Sequence, residues 1–173
     1  MTRPGNLAPQ SRRAELESIE AKLSRLPPSN AVHWATPLVP AEVCQRYLAE
    51  TESRTLPATP EAVAEAVENI ASVYPKSSIA DPKRWVAAVG MILAEYPNSV
   101  VQRCGHPVTG IMRTVKFVPV PAEIDAWCRG EQARQRGLRY LAQRTLAEHE
   151  RRAQEAAMLA EIAEERARRL SLH

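Results

Sequence analysis

Between Glu131 and Leu170 the chain contains no proline, and Ala, Glu, Arg, Gln and Leu dominate. These side chains lose little rotamer freedom in a helix, so the stretch predicts one long helix around which the rest must fold. Within it Ala142, Leu146, His149, Ala153, Ala156, Ala160, Ala163, Ala167 and Leu170 recur at alternating spacings of four and three, the mark of a heptad seam. Pairs such as Glu148/Arg152, Glu164/Arg168 and Glu165/Arg169 add support at i, i+4. The seam is narrow, because an alanine offers one methyl, about 0.8 kcal/mol at full burial. It lets a second helix approach closely, or it stands as a solvated face. These nine residues are the candidate surface for a protein partner or for self-association.

Proline punctuates the chain before this helix. Ser11 to Leu26 is helix-prone, with Leu16, Ile19, Leu23 and Leu26 on one stripe, and Pro27-Pro28 stops it. Residues 27–40 hold four prolines and predict an extended linker, on which Trp34 is expected to dock. Pro40 to Thr51 predicts a short helix presenting Val43, Tyr47 and Leu48, followed by a connection to Ala58. Residues 1–58 are therefore expected to be helical and proline-rich docking segments.

The clearest unit begins at Thr59, a suitable N-cap, with Pro60 at the first helical position, where a missing N–H costs nothing. Val63, Val67, Ile70, Ala71 and Tyr74 form one apolar face, and Pro75 ends the helix. Asp81-Pro82 repeats the start signal 22 residues later, with Trp85, Val89, Ile92, Leu93 and Tyr96 at the same offsets and Pro97 as the stop. Asn98 is the expected cap of a third helix carrying Val100, Val101 and Cys104, ended by Gly105. After a loop from His106 to Lys116, Pro121 opens a fourth helix with Ile124, Trp127 and Cys128 turned inward. The expectation is an all-α protein: a small four-helix bundle core at 59–128, in which Trp85 and Trp127 are buried, and a long charged C-terminal helix at 129–173 as partner-binding arm.

The chemistry that the sequence omits is as telling. None of the six glycines precedes a lysine, so the phosphate-cradling loop of nucleotide hydrolases is missing. Cys104, His106 and Cys128 lack the paired spacings of a zinc site, and His149-Glu150 lacks the second histidine of a zinc-protease helix. Glu123 and Asp125 sit at a helix start, where the dipole favours them without catalysis. No catalytic residue, cofactor site or metal site is expected, and the chain is not expected to be an enzyme. No apolar run approaches the roughly 18 residues that span a bilayer. Met1 to Pro9 has no hydrophobic stretch of the secretory kind, and three widely spaced cysteines suit a reducing compartment. The expected location is the cytoplasm. The net charge is only +3. Lys76, Lys83, Arg84, Arg113 and Lys116 fall on two loops, where they form either a basic rim for phosphate or an acidic protein, or a scattered solvated set.

The stretch from Glu61 to Trp127 resembles the N-terminal helical domain of phage replicative-helicase loader and inhibitor proteins. The matching features are NIASVYP (Asn69 to Pro75), WVAAVGMILAEYP (Trp85 to Pro97) and KFVPVPAEIDAWC (Lys116 to Cys128), the last similar to the family's Phe-Pro-Pro/Thr-x-x-Glu-Ile signature. The resemblance covers about 40% of the chain; the loop from His106 to Val115 is longer than the family pattern, and the C-terminal 45 residues are helical and charged. It implies a compact N-terminal bundle and a C-terminal part that contacts the hexameric helicase, which here corresponds to residues 129–173. The expected function is a non-enzymatic accessory replication factor of phage or prophage type, acting as loader or inhibitor. Two alternatives are a virion or prophage assembly protein that oligomerises through its C-terminal helix, and a nucleic-acid-binding module.

Overall fold

The computed structural model describes residues 9–25, 37–52, 55–75 and 78–171, with side chains from residue 14 onward. These comprise six α-helices: α1 (Pro9–Ser24), α2 (Ala41–Glu52), α3 (Pro60–Ser72), α4 (Pro82–Ala94), α5 (Asn98–Cys104) and α6 (Pro121–Ser171). A 3-10 turn spans Ile111–Arg113, and no strand occurs among the described residues beyond one isolated bridge between Pro57 and Pro97. The protein is all-α with a long C-terminal helix, as the composition predicts. Among the described residues no helix is long and apolar enough to cross a membrane. Trp34 and Lys76 lie outside the described residues.

The fourth helix and the long helix, separate on the sequence pattern, are one helix of 51 residues. Gly130 and Gly137 fall inside it, each costing about 1 kcal/mol relative to alanine without ending it. The chain divides into two compact units, one of Met1–Ala49 with Leu138–His173, the other of Glu50–Gly137. The boundaries expected at 58/59 and 128/129 thus shift, and the arm expected at 129–173 is shared between the units over its first part.

In the second unit α3, α4, α5 and the first turns of α6 enclose one core. Ala66, Val67 and Ile70 from α3 meet Val89, Leu93 and Tyr96, Val100, Val101 and Cys104, Ile111, and Ile124 and Cys128 of α6. Burying each of the larger aliphatic side chains contributes roughly 2 kcal/mol. Thr59 Oγ1 accepts from Ala62 N at 3.2 Å, and Asp81 Oδ1 accepts from Arg84 N at 3.0 Å, so both expected caps are formed. At the start of α6, Glu123 accepts from the Val120 amide at 2.9 Å, the carboxylate half of a capping box.

Three expectations need correction here. Asn98 does not cap α5: the N-cap is Pro97, without a side-chain bond, and the Asn98 amide donates to Leu56 O at 2.9 Å. The short bridge between Pro57 and Pro97 holds this backbone, leaving Asn98 Oδ1 buried without a partner. Trp85 and Trp127 are half-buried at the edge of the core rather than inside it. Trp85 instead spends its indole N–H on Pro119 O at 3.0 Å, tying the first turn of α4 to the segment before α6. Gly105 stops α5, but its φ of −78° is open to any residue. It is needed for space, since a Cβ there would lie 2.6 Å from the Ala66 Cα.

A buried carboxylate fastens α5 to α6. Glu131 receives Arg134 Nε and Nη2 at 2.8 Å each and Gln135 Nε2 at 2.9 Å, with Arg103 of α5 at 3.3 Å. Burial pushes its pKa up, but the hydrogen bonds and the charges of Arg134 and Arg103 outweigh that and hold it below the ordinary value. A depressed carboxylate contributes stability that is present above its unfolded pKa, about 4.3, and is lost as pH falls through the folded value. Glu131→Gln is therefore expected to lower neutral-pH stability by about 2 kcal/mol. It should also reduce the stability lost on acidification below about pH 4.3. Thermal melts of both proteins at neutral and acid pH check this; parallel losses would show that Glu131 is not the titrating group.

The first unit contains what the sequence pattern assigned to docking segments and part of the seam. Leu16, Ile19 and Leu23 of α1, Val39, and Cys44 and Tyr47 of α2 bury against Leu138 and Ala142 of α6. Val43, Leu48, Leu141 and Leu146 close the edge of this core. Arg46 pairs with Glu15 at 2.6 Å, and His149 Nε2 lies 2.9 Å from Val39 O.

Candidate protein-binding helix

The nine seam residues split into two groups. Ala142 is buried, Leu146 packs at the edge of the first unit's core, and His149 is engaged by Val39. These three serve the chain's own packing and are withdrawn from the partner surface. From Ala153 onward every described residue is exposed, including Ala153, Ala156, Ala160, Ala163, Ala167 and Leu170.

This exposed part of α6 is more apolar than its alanines suggest. Met158, Leu159, Ile162 and Leu170 are 55, 58, 44 and 80% exposed. At 100° per residue, Leu159, Leu170, Ala163, Ala156, Ala167, Ala160 and Ala153 share an arc of about 120°. Within residues 153–171 that arc carries no charge, and it runs for about 26 Å. Ile162 and Met158 lie beyond one edge of it, past Arg166 and Glu155. The heptad pattern missed Leu159, Ile162 and Met158 because it selected the regular seam positions; the exposed width of the stripe was the signal that could have found them.

The charges are sorted about this arc. Arg151, Arg166 and Arg169 lie toward the Ile162 side with Glu155, while Glu150, Glu161, Glu164 and Glu165 lie on the other with Arg168; Arg152, just before Ala153, falls on the arc's own face. Ion pairs brace the helix along its length. Arg151 reaches Glu148 at 2.8 Å and Glu155 at 3.0 Å, Arg152 reaches Glu148 at 2.8 Å, and Arg169 reaches Glu165 at 2.9 Å. Hydrogen bonds from Arg151 and Arg152 hold the Glu148 carboxyl down at about 2. Each exposed pair contributes only about 0.3–0.5 kcal/mol, but together with high intrinsic propensity they keep the helix formed without a covering layer.

Elsewhere several titratable and nucleophilic groups are committed to structure. Among the described residues no cluster of three or more His, Cys, Asp or Glu is placed to hold a metal. The Cys128 thiol is pushed up by its contact with Cys104 and by burial, which keeps it protonated. Burial and a hydrogen bond to Asp125 likewise raise the Tyr96 phenol. His106 Nδ1 accepts from the Val108 and Thr109 amides, at 3.2 Å each, inside its own loop. Of the five basic residues expected on loops, Lys83 and Arg84 lie instead in the first turn of α4; these two, Arg113 and Lys116 are exposed, and the Trp85–Pro119 bond ties the first turn of α4 to the segment after Lys116. No family model, curated protein or solved structure matches the chain.

Proposed function

We propose that this chain is a non-enzymatic accessory DNA-replication factor of phage or prophage type, and that the exposed turns of α6 capture a hexameric replicative helicase. The observation that carries the binding role is the fully exposed helix from Ala153 to Ser171, with its uncharged arc of apolar side chains. Soluble proteins seldom leave a continuous apolar stripe of this length without an occupant. The helicase as partner follows from the resemblance of Glu61 to Trp127 to the loader and inhibitor family. No nucleotide chemistry is assigned to the chain in this proposal, and its place of action is the cytoplasm.

The proposal is tested by mixing the full chain with the purified replicative helicase of its host and measuring mass across a sizing column. A co-eluting complex is the expected result; separate elution at micromolar concentrations rejects the helicase as partner. The small residues of the same arc favour one second reading, an assembly protein that pairs α6 with α6 of another copy. That reading predicts a sedimentation mass that rises with concentration in the absence of helicase.

A further inference from the structure

We propose that the segment from Arg113 to Val120, with the first turn of α4, is a docking patch for single-stranded nucleic acid, on which Phe117 stacks a base. The chain has one phenylalanine, and it is 82% exposed, although burying such a ring ordinarily contributes about 2 kcal/mol to a core. It is not a loose end. Pro119, two residues on, is fully buried, and Pro119 O receives the Trp85 indole N–H. The ring is thus presented from a backbone fastened on its C-terminal side.

The same bond tethers the turn that carries Lys83 and Arg84, the residues just before Trp85, to Pro119, three residues after Lys116. All four cations are exposed. The nearest carboxylates in sequence, Asp81 and Glu123, are turned to the amides of Arg84 and Val120 as caps. An exposed ring among cations is what unpaired bases and their phosphates recognise, the ring stacking a base face and the cations meeting the backbone. Duplex DNA keeps its base faces covered and cannot use the ring. An anionic membrane could meet the same charges, but Phe117 with Val120 offers little apolar area, when even a whole myristoyl chain holds a protein only marginally.

This proposal is independent of the α6 surface and uses the full chain. Fluorescence anisotropy is read with a labelled oligothymidylate of about 15 nucleotides at about 50 mM salt. Binding is expected, weakening with salt at a logarithmic slope of about −2 to −3, as three or four phosphate contacts on a single strand require. Phe117→Ala should weaken binding about tenfold and Phe117→Trp should retain it. Arg113→Glu with Lys116→Glu should abolish it, and circular dichroism should show unchanged helicity in all three. No binding, equal binding by Phe117→Ala, a duplex of the same length binding as tightly, or preferred capture by anionic phosphatidylserine vesicles would each overturn the patch as a single-strand site.

Discussion

A chain ended after Arg152 should fail to capture its protein partner altogether, while its unfolding midpoint stays within about 2 °C of the full chain's. Every described residue beyond the cut is exposed, and neither core includes any of them. What goes with them is the apolar arc and three helix ion pairs, Arg151–Glu155, Arg168–Glu164 and Arg169–Glu165, all exposed and weak. The position of the cut matters. Ending the chain before Ala142, as the seam taken alone suggests, would strip Ala142 and Leu146 from the first unit and unfold it. Substituting Glu at Ala156, Ala160 and Ala163 keeps the length but sets charge in the arc, and should weaken capture more than a hundredfold with helicity unchanged. Normal capture by both variants, measured by calorimetry, would move the binding surface onto the folded units.

Gly110→Ala should be the most damaging single methyl in the protein. A Cβ at Gly110 would stand 2.2 Å from Cys104 O, 2.5 Å from His106 O and 2.8 Å from Arg103 O. All three are backbone oxygens at the end of α5, so no rotamer change relieves them. The φ of −84° is ordinary, which makes space the whole reason for glycine here. The expected cost is on the order of 3 kcal/mol, a fall of about 10–20 °C in the second unit's melting temperature. Gly130→Ala and Gly137→Ala are the controls, since nothing lies within 4 Å of either new methyl and both sit inside α6. Each should stabilise by up to about 1 kcal/mol. A tolerated Gly110→Ala would show that the loop after α5 relaxes freely.

Helix punctuation was the most legible part of the sequence. Thr59-Pro60 and Asp81-Pro82 set their helices because the cap bond and the proline φ are local matters that need no knowledge of the fold. Asn98 misled for the opposite reason: its amide is claimed by Leu56, a residue distant in sequence, before any cap can form. The stripes of α1 and α2 were visible, but not that they pair with the middle of α6, because periodicity shows which face is apolar and not what covers it. For the same reason the seam appeared uniform from Ala142 to Leu170, although its first third is occupied. Phe117 belongs in the sequence to the run that leads into the last helix, and its exposure is a property of the folded loop.

The order of the two units along the chain governs how they can be made. The second unit is a continuous stretch, Glu50–Gly137, enclosed within a first unit whose parts lie at opposite ends of the sequence. During synthesis the inner unit can finish while α1 and α2 still wait for Leu138 and Ala142 to emerge. Once formed, it replaces a flexible connection between the outer pieces with a folded one. With the inner unit unfolded, that connection becomes a loop of about 90 flexible residues, and closing it costs more as the logarithm of its length. Damage to the α3–α5 core, as by Gly110→Ala, should therefore be inherited by Tyr47 and Leu23, which belong to the other unit's core.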